Sequence, residues 1–312
     1  MTTPTTGHWV ADPSIGWRIL LTATLPDQPQ VDDTVRTATS TAELRRALVA
    51  PDPQPVVVGV AGHDLVVSAH HAAVDGLGLL RILGQLGHGP VTSSARGVGD
   101  RSAGHGYAGT VVRRLVEAAL RPPARIPPQG RGPAAGDVMV EIELPGSFRT
   151  GQIVHAAVAA LADLGAGPHV AVAVGVTRDP DPNGLIEDRS ALLRLRDVER
   201  LELPEIERAL REAPVERPPG TRSGSVNRAA AIAMRLLARR LGSTLLVSHL
   251  GEVTAPAIDR LVFHPVTAGG TGIALGAVGH GGRTVLTLRA RAADWHADGL
   301  ERVLEAVGGR LA

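Results

Sequence analysis

Val66-Val67-Ser68-Ala69-His70-His71-Ala72-Ala73-Val74-Asp75-Gly76 is the stretch that decides how this chain is read. Its first half is a short apolar run of the kind that forms a buried strand. Along an extended backbone, side chains alternate between the two faces. Val66, Ser68 and His70 therefore share one face, and Val67, Ala69 and His71 share the other. The two histidines then serve different ends: one packs into the protein while the other faces a cavity. The pattern that follows predicts a helix over Leu77 to Leu86, with its N-terminus beside Asp75. A carboxylate suits that place, because the amides of a first helical turn have no partners within the helix.

Working outward, Val56 to Val60, the turn Gly62-His63-Asp64 and Leu65 to Ala69 read as a hairpin that ends in the histidines. Trp17 to Leu25 reads as an earlier strand. A helix is expected within Asp32 to Val49, strongest from Thr41, with Ser40 or Thr41 as its cap and Leu44 and Leu48 on one face. Residues 87–109 have no periodicity and read as loop, and Thr110 to Leu120 as a short helix. Arg121 to Gly136 is rich in proline and glycine and reads as an extended linker. It divides an N-terminal lobe, residues 1–120, from a C-terminal lobe, residues 138–312, with 121–137 between them. The second lobe is expected to hold strands at Val138–Leu144, Val170–Thr177, Ser190–Leu195, Ser243–Ser248, Gly272–Val278 and Arg283–Arg289. Helices are expected at Gln152–Leu164, Pro204–Ala213, Ser225–Leu241 and Ala297–Val307. Strands and helices mix in both halves without strict alternation, which points to an α+β architecture in two lobes.

Composition removes several classes of function. The formal net charge is +1, so no strong overall field argues for nucleic acid or an anionic membrane. Aromatic residues make up 2%, too few for base-stacking platforms. Cysteine is absent, which excludes disulfides, thiolate metal sites and cysteine nucleophiles. Every basic side chain apart from histidine is arginine, the mark of a GC-rich coding bias. Met1 to Asp12 lacks the basic start and apolar core of a signal peptide, and no run of about 20 apolar residues is present. The expectation is a cytoplasmic protein that acts without membrane or nucleic acid.

His70-His71-Ala72-Ala73-Val74-Asp75-Gly76 matches the HHxxxDG motif, and in this the chain resembles the chloramphenicol-acetyltransferase-like acyltransferases. That superfamily includes the condensation domains of nonribosomal peptide synthesis. Leu245-Leu246-Val247-Ser248-His249-Leu250-Gly251 is similar to the family's VSNxG segment, with His249 where asparagine is usual. Val174 to Arg178 followed by Leu185 to Leu195 resembles a strand–Arg–strand passage of condensation domains. The pattern from Phe263 to the final helix also fits, so the likeness spans most of 56–86 and 138–311. The resemblance implies two chloramphenicol-acetyltransferase-like lobes with mixed sheets. The motif arrives early in the chain, which implies a reduced N-terminal lobe.

The same resemblance implies a free-standing acyltransferase of secondary metabolism. It would move an acyl group from an acyl or peptidyl carrier protein, or coenzyme A, to a small-molecule amine or alcohol. The phosphopantetheine or CoA thioester is then the substrate arm, with no cofactor bound. His71 is implied as general base or substrate positioner, a task for which neutral imidazole is suited. His70 is implied to be structural, and Gly76 to permit a turn that a Cβ would hinder. Asp75 is implied to pair with an arginine of the other lobe, for which Arg178 is the candidate, and Ser248 to donate to the oxyanion. Taken alone, the histidine pair reads better as core packing than as a site. A zinc site is not expected, because adjacent histidines on a strand point apart. Arg178 also reads as a solvated residue beside a turn, and Ser248 as a strand-end hydroxyl. Arg235, Arg239 and Arg240 read as the solvated face of their helix, or as a dock for a phosphopantetheine phosphate. Cyclisation, epimerisation or elimination on a carrier-bound chain, and a non-catalytic carrier-docking module, are the other functions this scaffold admits.

Overall fold

Near-continuous apolar runs over Val56–Ala61 (β3) and Asp64–His70 (β4), buried on both faces, form an antiparallel hairpin, in register from Val56↔Ala69 to Ala61↔Asp64. In this computed structural model the described residues are 17–30, 34–99, 101, 116–117, 120–127, 136–178, 186–216, 242–267 and 272–312. The other edge of β4 pairs antiparallel with Arg18–Thr24 (β1), and a two-residue strand, Arg36–Thr37 (β2), lies parallel to β3. A fifth strand comes from far along the chain: Arg260–His264 (β11) pairs antiparallel with β1. The order of this first sheet is β11-β1-β4-β3-β2.

The second sheet runs through Asp137–Pro145 (β6), Arg283–Arg291 (β13), Ile273–His280 (β12), Leu245–Thr254 (β10), Val172–Thr177 (β7), Ser190–Leu195 (β8) and Val215–Glu216 (β9), in that order. Thr92–Ser93 (β5) pairs with the far end of β10. β10 is parallel to both β7 and β12, and the other pairings are antiparallel. The result is the α+β, two-lobed architecture with mixed sheets that the sequence predicts.

Face alternation sorts the apolar residues into layers. On the first sheet Leu20, Val57 and Val66 point outward, beneath Leu44 and Leu48 of the helix Thr41–Leu48. Leu21, Val67 and Ala69 point inward. There they meet Ala173, Leu246, Leu250, Ala274 and Val278 of the second sheet, and the helix Gly76–Leu83, in one shared core. The far face of the second sheet carries Val174, Val247, Leu275 and Leu286 under the helices Thr150–Asp163 and Ala297–Gly308. A fully buried leucine or valine contributes about 1.5–3 kcal/mol. An exposed ion pair contributes about 0–1 kcal/mol. The shared core, not the surface arginines, therefore holds the two sheets together.

The structure refines the sequence reading in several places. The strand expected to stop at Ser248 continues to Thr254 through a register shift between His249 and Glu252. Gly251 there takes φ +75°, and a Cβ on it would stand 2.8 Å from Ala95 N. That glycine is where the chain beside β5 docks. The strand β11 has no counterpart in the sequence reading. The helix expected within Asp32 to Val49 occupies the stronger part of that range, Thr41–Leu48, with the expected cap: Ser40 Oγ accepts from Glu43 N. Gly76–Leu83 gives way at Gly84 to a wider turn rather than running on to Leu86.

The described part of the proline-rich stretch is anchored at Ala124, while Arg121, Pro122, Arg125 and Pro127 are exposed. Ala124 is buried, its N–H donates to His169 O, and its carbonyl accepts from the Thr244 hydroxyl. With β5 on the second sheet and β11 on the first, each half of the chain supplies a strand to the sheet of the other. The expected helix start at 110–115, the turn at 179–184, the helix over 225–241 and the glycine-rich 269–271 lie outside the described residues. Among the described residues no helix is long and apolar enough to cross a membrane.

Candidate functional site

β4 ends at His70, and the chain turns at once. His70 N–H donates to Pro55 O at 2.8 Å and His71 N–H to Trp17 O at 2.7 Å. The His70 carbonyl accepts from Ala73 and Val74, and its buried ring accepts from Ala72 N–H at Nδ1, 3.2 Å away. His70 thus braces the turn with its main chain and with its ring. His71 is the first residue past the strand, and its side chain is 26% exposed. Its Nδ1 is buried without a hydrogen bond and lies 3.9 Å from Asp188 Oδ1, beyond hydrogen-bond reach.

Asp75 is buried and caps the helix that follows. Oδ1 accepts from Gly78 N–H at 2.7 Å, and Oδ2 accepts from the Thr177 hydroxyl at 3.2 Å. Burial pushes its carboxyl above the usual range, while the Gly78 bond pulls it down; Asp188 adds to the rise, and Thr177 and His71 oppose it. The expected Asp75–Arg178 pair is therefore corrected by one residue. Thr177 reaches the carboxylate from the inward face of β7, whereas Arg178 lies past the strand end with an exposed side chain. Its main-chain N–H donates to Arg189 O. The passage still links the lobes, but through a neutral hydroxyl.

Gly76 also works differently from expectation. It is the first residue of its helix, and a Cβ on it would stand 2.6 Å from Leu250 Cδ2 and 3.4 Å from Phe263 Cζ. The missing side chain allows close approach to the second half of the chain rather than an unusual turn.

Ser248 lies on β10 between Leu246 and Leu250, the inward-facing positions, and is half-buried. It is flanked in register by Gly175 on β7 and Gly276 on β12. A Cβ on Gly175 would stand 3.2 Å from Ser248 Oγ, so the bare glycine leaves the hydroxyl room. His249 points the other way, with Nδ1 3.1 Å from the Thr150 hydroxyl, and burial pushes its imidazole down to about 4. The histidine that stands where asparagine is usual is thus a neutral packing residue on the far face from Ser248.

The structure gathers the motif loop, Thr177 and the inward face of β7 and β10 between the two sheets, with Asp188 at the exposed edge beside His71. Two of these, Thr177 and Asp188, were not singled out from the sequence, although both lie in the strand–Arg–strand passage. Alternation along β7 was the signal for Thr177; nothing local marks Asp188. Among the described residues, His169, Asp197 and Glu199 have metal-ligand proximity. Their atoms are already engaged: His169 Nδ1 bonds Asp197 Oδ1 at 2.6 Å, and Glu199 accepts from the main-chain N–H groups of His169 and Val170. They clamp the turn before β7.

No family model and no curated protein matches the sequence. Solved structures do. The epimerization domain from the third module of tyrocidine synthetase B aligns over 98% of this chain and 96% of its own, with 12% identity and a TM-score of 0.52. A mutant starter condensation domain of rhizomide synthetase, in complex with C8-CoA and Leu-SNAC, aligns over 96% and 90%, with 14% identity and a TM-score of 0.55. The chain has the condensation-domain fold. A cyclization-docking bidomain from Sorangium cellulosum aligns over 93% of this chain and 73% of its own, with 17% identity and a TM-score of 0.51. The condensation-domain fold thus extends across both lobes of this chain and is not confined to the histidine motif.

Proposed function

We propose that the chain is a condensation-like acyltransferase that moves an acyl group from a carrier-protein or coenzyme A thioester to an amine or hydroxyl acceptor. The observation that carries this reading is the position of His71. It is partly exposed at the end of a buried strand, between two sheets, and beside two carboxylates. The fold of the solved neighbours adds support, since one of them was captured with an acyl-CoA and an aminoacyl thioester analogue.

In this reading, neutral His71 removes the proton of the attacking amine or alcohol as its N or O bonds to the thioester carbon. The Ser248 hydroxyl donates to the oxyanion that forms. Collapse then breaks the C–S bond, and the thiolate leaves with the proton that His71 holds. Asp75 does no chemistry: it fixes the motif loop through Gly78 and Thr177. The donor's phosphopantetheine or CoA arm belongs to the substrate.

Solved neighbours that epimerise or cyclise make a second reading specific: the same site could act on one carrier-bound chain without a second substrate. Intact-mass analysis of an acyl-loaded carrier protein incubated with the full chain and a panel of amines and alcohols separates these. Acyl loss from the carrier with matching gain by an acceptor supports transfer. Loss of water or no mass change, with altered stereochemistry, supports the second reading. A stable carrier complex with no chemistry on any donor would leave a docking module.

A further inference from the structure

The motif supplies a histidine and a carboxylate four residues apart, yet the two are not partners. Asp75 spends Oδ1 on Gly78 N–H and Oδ2 on Thr177. The carboxylate that His71 faces comes from the other lobe. Asp188 Oδ1 stands 3.9 Å from His71 Nδ1, and that nitrogen is buried without a hydrogen bond. Asp188 is itself held in place: Oδ1 accepts from Ser190 N–H at 2.9 Å at the start of β8, and the preceding Ile186 is 1% exposed in the shared core. A movement of about 1 Å would bring the pair to hydrogen-bond distance. Catalytic hydrogen bonds are often long in an empty site and tighten when substrate binds.

We propose that Asp188 is the positioning residue for His71. Its carboxylate accepts a hydrogen bond from Nδ1–H and so selects the tautomer in which Nε2 carries the free lone pair. A neutral imidazole protonated at Nε2 could not serve as base through that nitrogen, so tautomer choice decides whether the ring is competent. Both oxygens of Asp75 are committed to Gly78 N–H and the Thr177 hydroxyl, which leaves Asp188 as the carboxylate that faces the ring. The catalytic part of this inference rests on the acyltransferase reading; the tautomer part does not.

The test uses the full chain labelled with ¹⁵N at histidine, with the His71 signals assigned by their loss in His71→Gln. The wild type is expected to show a protonated Nδ1 and an unprotonated Nε2. Asp188→Ala should move the proton toward Nε2, and Asp188→Glu should restore the wild-type pattern, with folding of each variant checked by thermal melting. A wild-type ring already protonated at Nε2, or a tautomer indifferent to Asp188→Ala, overturns the proposal whether or not turnover is ever detected. Where transfer from an acyl-loaded carrier protein is measurable, Asp188→Ala should lower kcat by about 10²-fold with KM unchanged. An unchanged kcat also overturns it.

Discussion

Arg289 and His71 both lie where the two halves of the chain meet, yet their surroundings are built in opposite ways. Arg289 is 1% exposed and fully bonded: Nε and Nη2 hold Asp137, and Nη1 donates to the carbonyls of Arg18 and Pro265. Arg18 continues the network, donating to Ser68 Oγ and to the carbonyls of Gln54 and Ser68. His71 keeps a buried nitrogen without a hydrogen bond and a carboxylate just out of reach. The first arrangement fixes how β13 sits on β1. The second leaves polar capacity for a substrate. Completed networks therefore mark how the lobes are registered, and the incomplete one marks where chemistry is expected.

One group crosses that division. His264 is fully buried beside Arg289, and neither of its ring nitrogens has a hydrogen bond. Burial holds it neutral, and Arg45, Arg289 and Arg260 reinforce this.

Removing Arg289 is the largest way to break the comparison. Arg289→Met leaves Asp137 without its buried partner and two carbonyls without donors. A loss of about 3–5 kcal/mol is expected in denaturant unfolding. A loss below 1 kcal/mol would mean that the network does not set the register.

His264 gives the next effect, through acid. Its folded value is depressed below the ordinary 6.5, so the unfolded chain binds a proton that the folded chain refuses. Stability should fall as pH drops below about 6.5, by up to about 1.4 kcal/mol per pH unit for this one group. His264→Leu should flatten that limb and leave neutral-pH stability equal or higher. An unaltered acid limb in the variant would refute this account of His264.

Asp75 and Arg178 sharpen the comparison at smaller scale. Asp75→Ala should cost about 0.5–2 kcal/mol through the lost cap, and Asp75→Asn much less. Because the folded carboxyl is raised, its favourable contribution is complete below about pH 3.9 and is lost as pH rises through the folded value. The Asn variant should lack this dependence. Arg178→Ala should stay within about 0.5 kcal/mol, since its side chain is exposed. If Arg178→Ala costs as much as Asp75→Ala, the arginine pairing holds after all.

Much of this was legible in the sequence because it is local. The hairpin, the bracing His70 and the capping Asp75 follow from alternation over a few residues and from helix-end chemistry. What was not legible is non-local. β11 is five residues long and is defined only by its pairing with β1, some 240 positions earlier. Asp188 is placed by the chain leading into β8, where Ile186 packs in the core shared with the first sheet, and Thr177 differs from Arg178 by being the last residue of β7, on its inward face. The continuation of β10 past Ser248 was not legible because it runs through a register shift between His249 and Glu252.

The most direct test of the central claim is a single-turnover comparison of wild type and His71→Ala with the same acyl-loaded carrier protein and acceptor, alongside melting curves. The account predicts acyl transfer slowed by about 10²–10⁴-fold with an unchanged melting temperature. Transfer at the wild-type rate by a folded His71→Ala protein would contradict it.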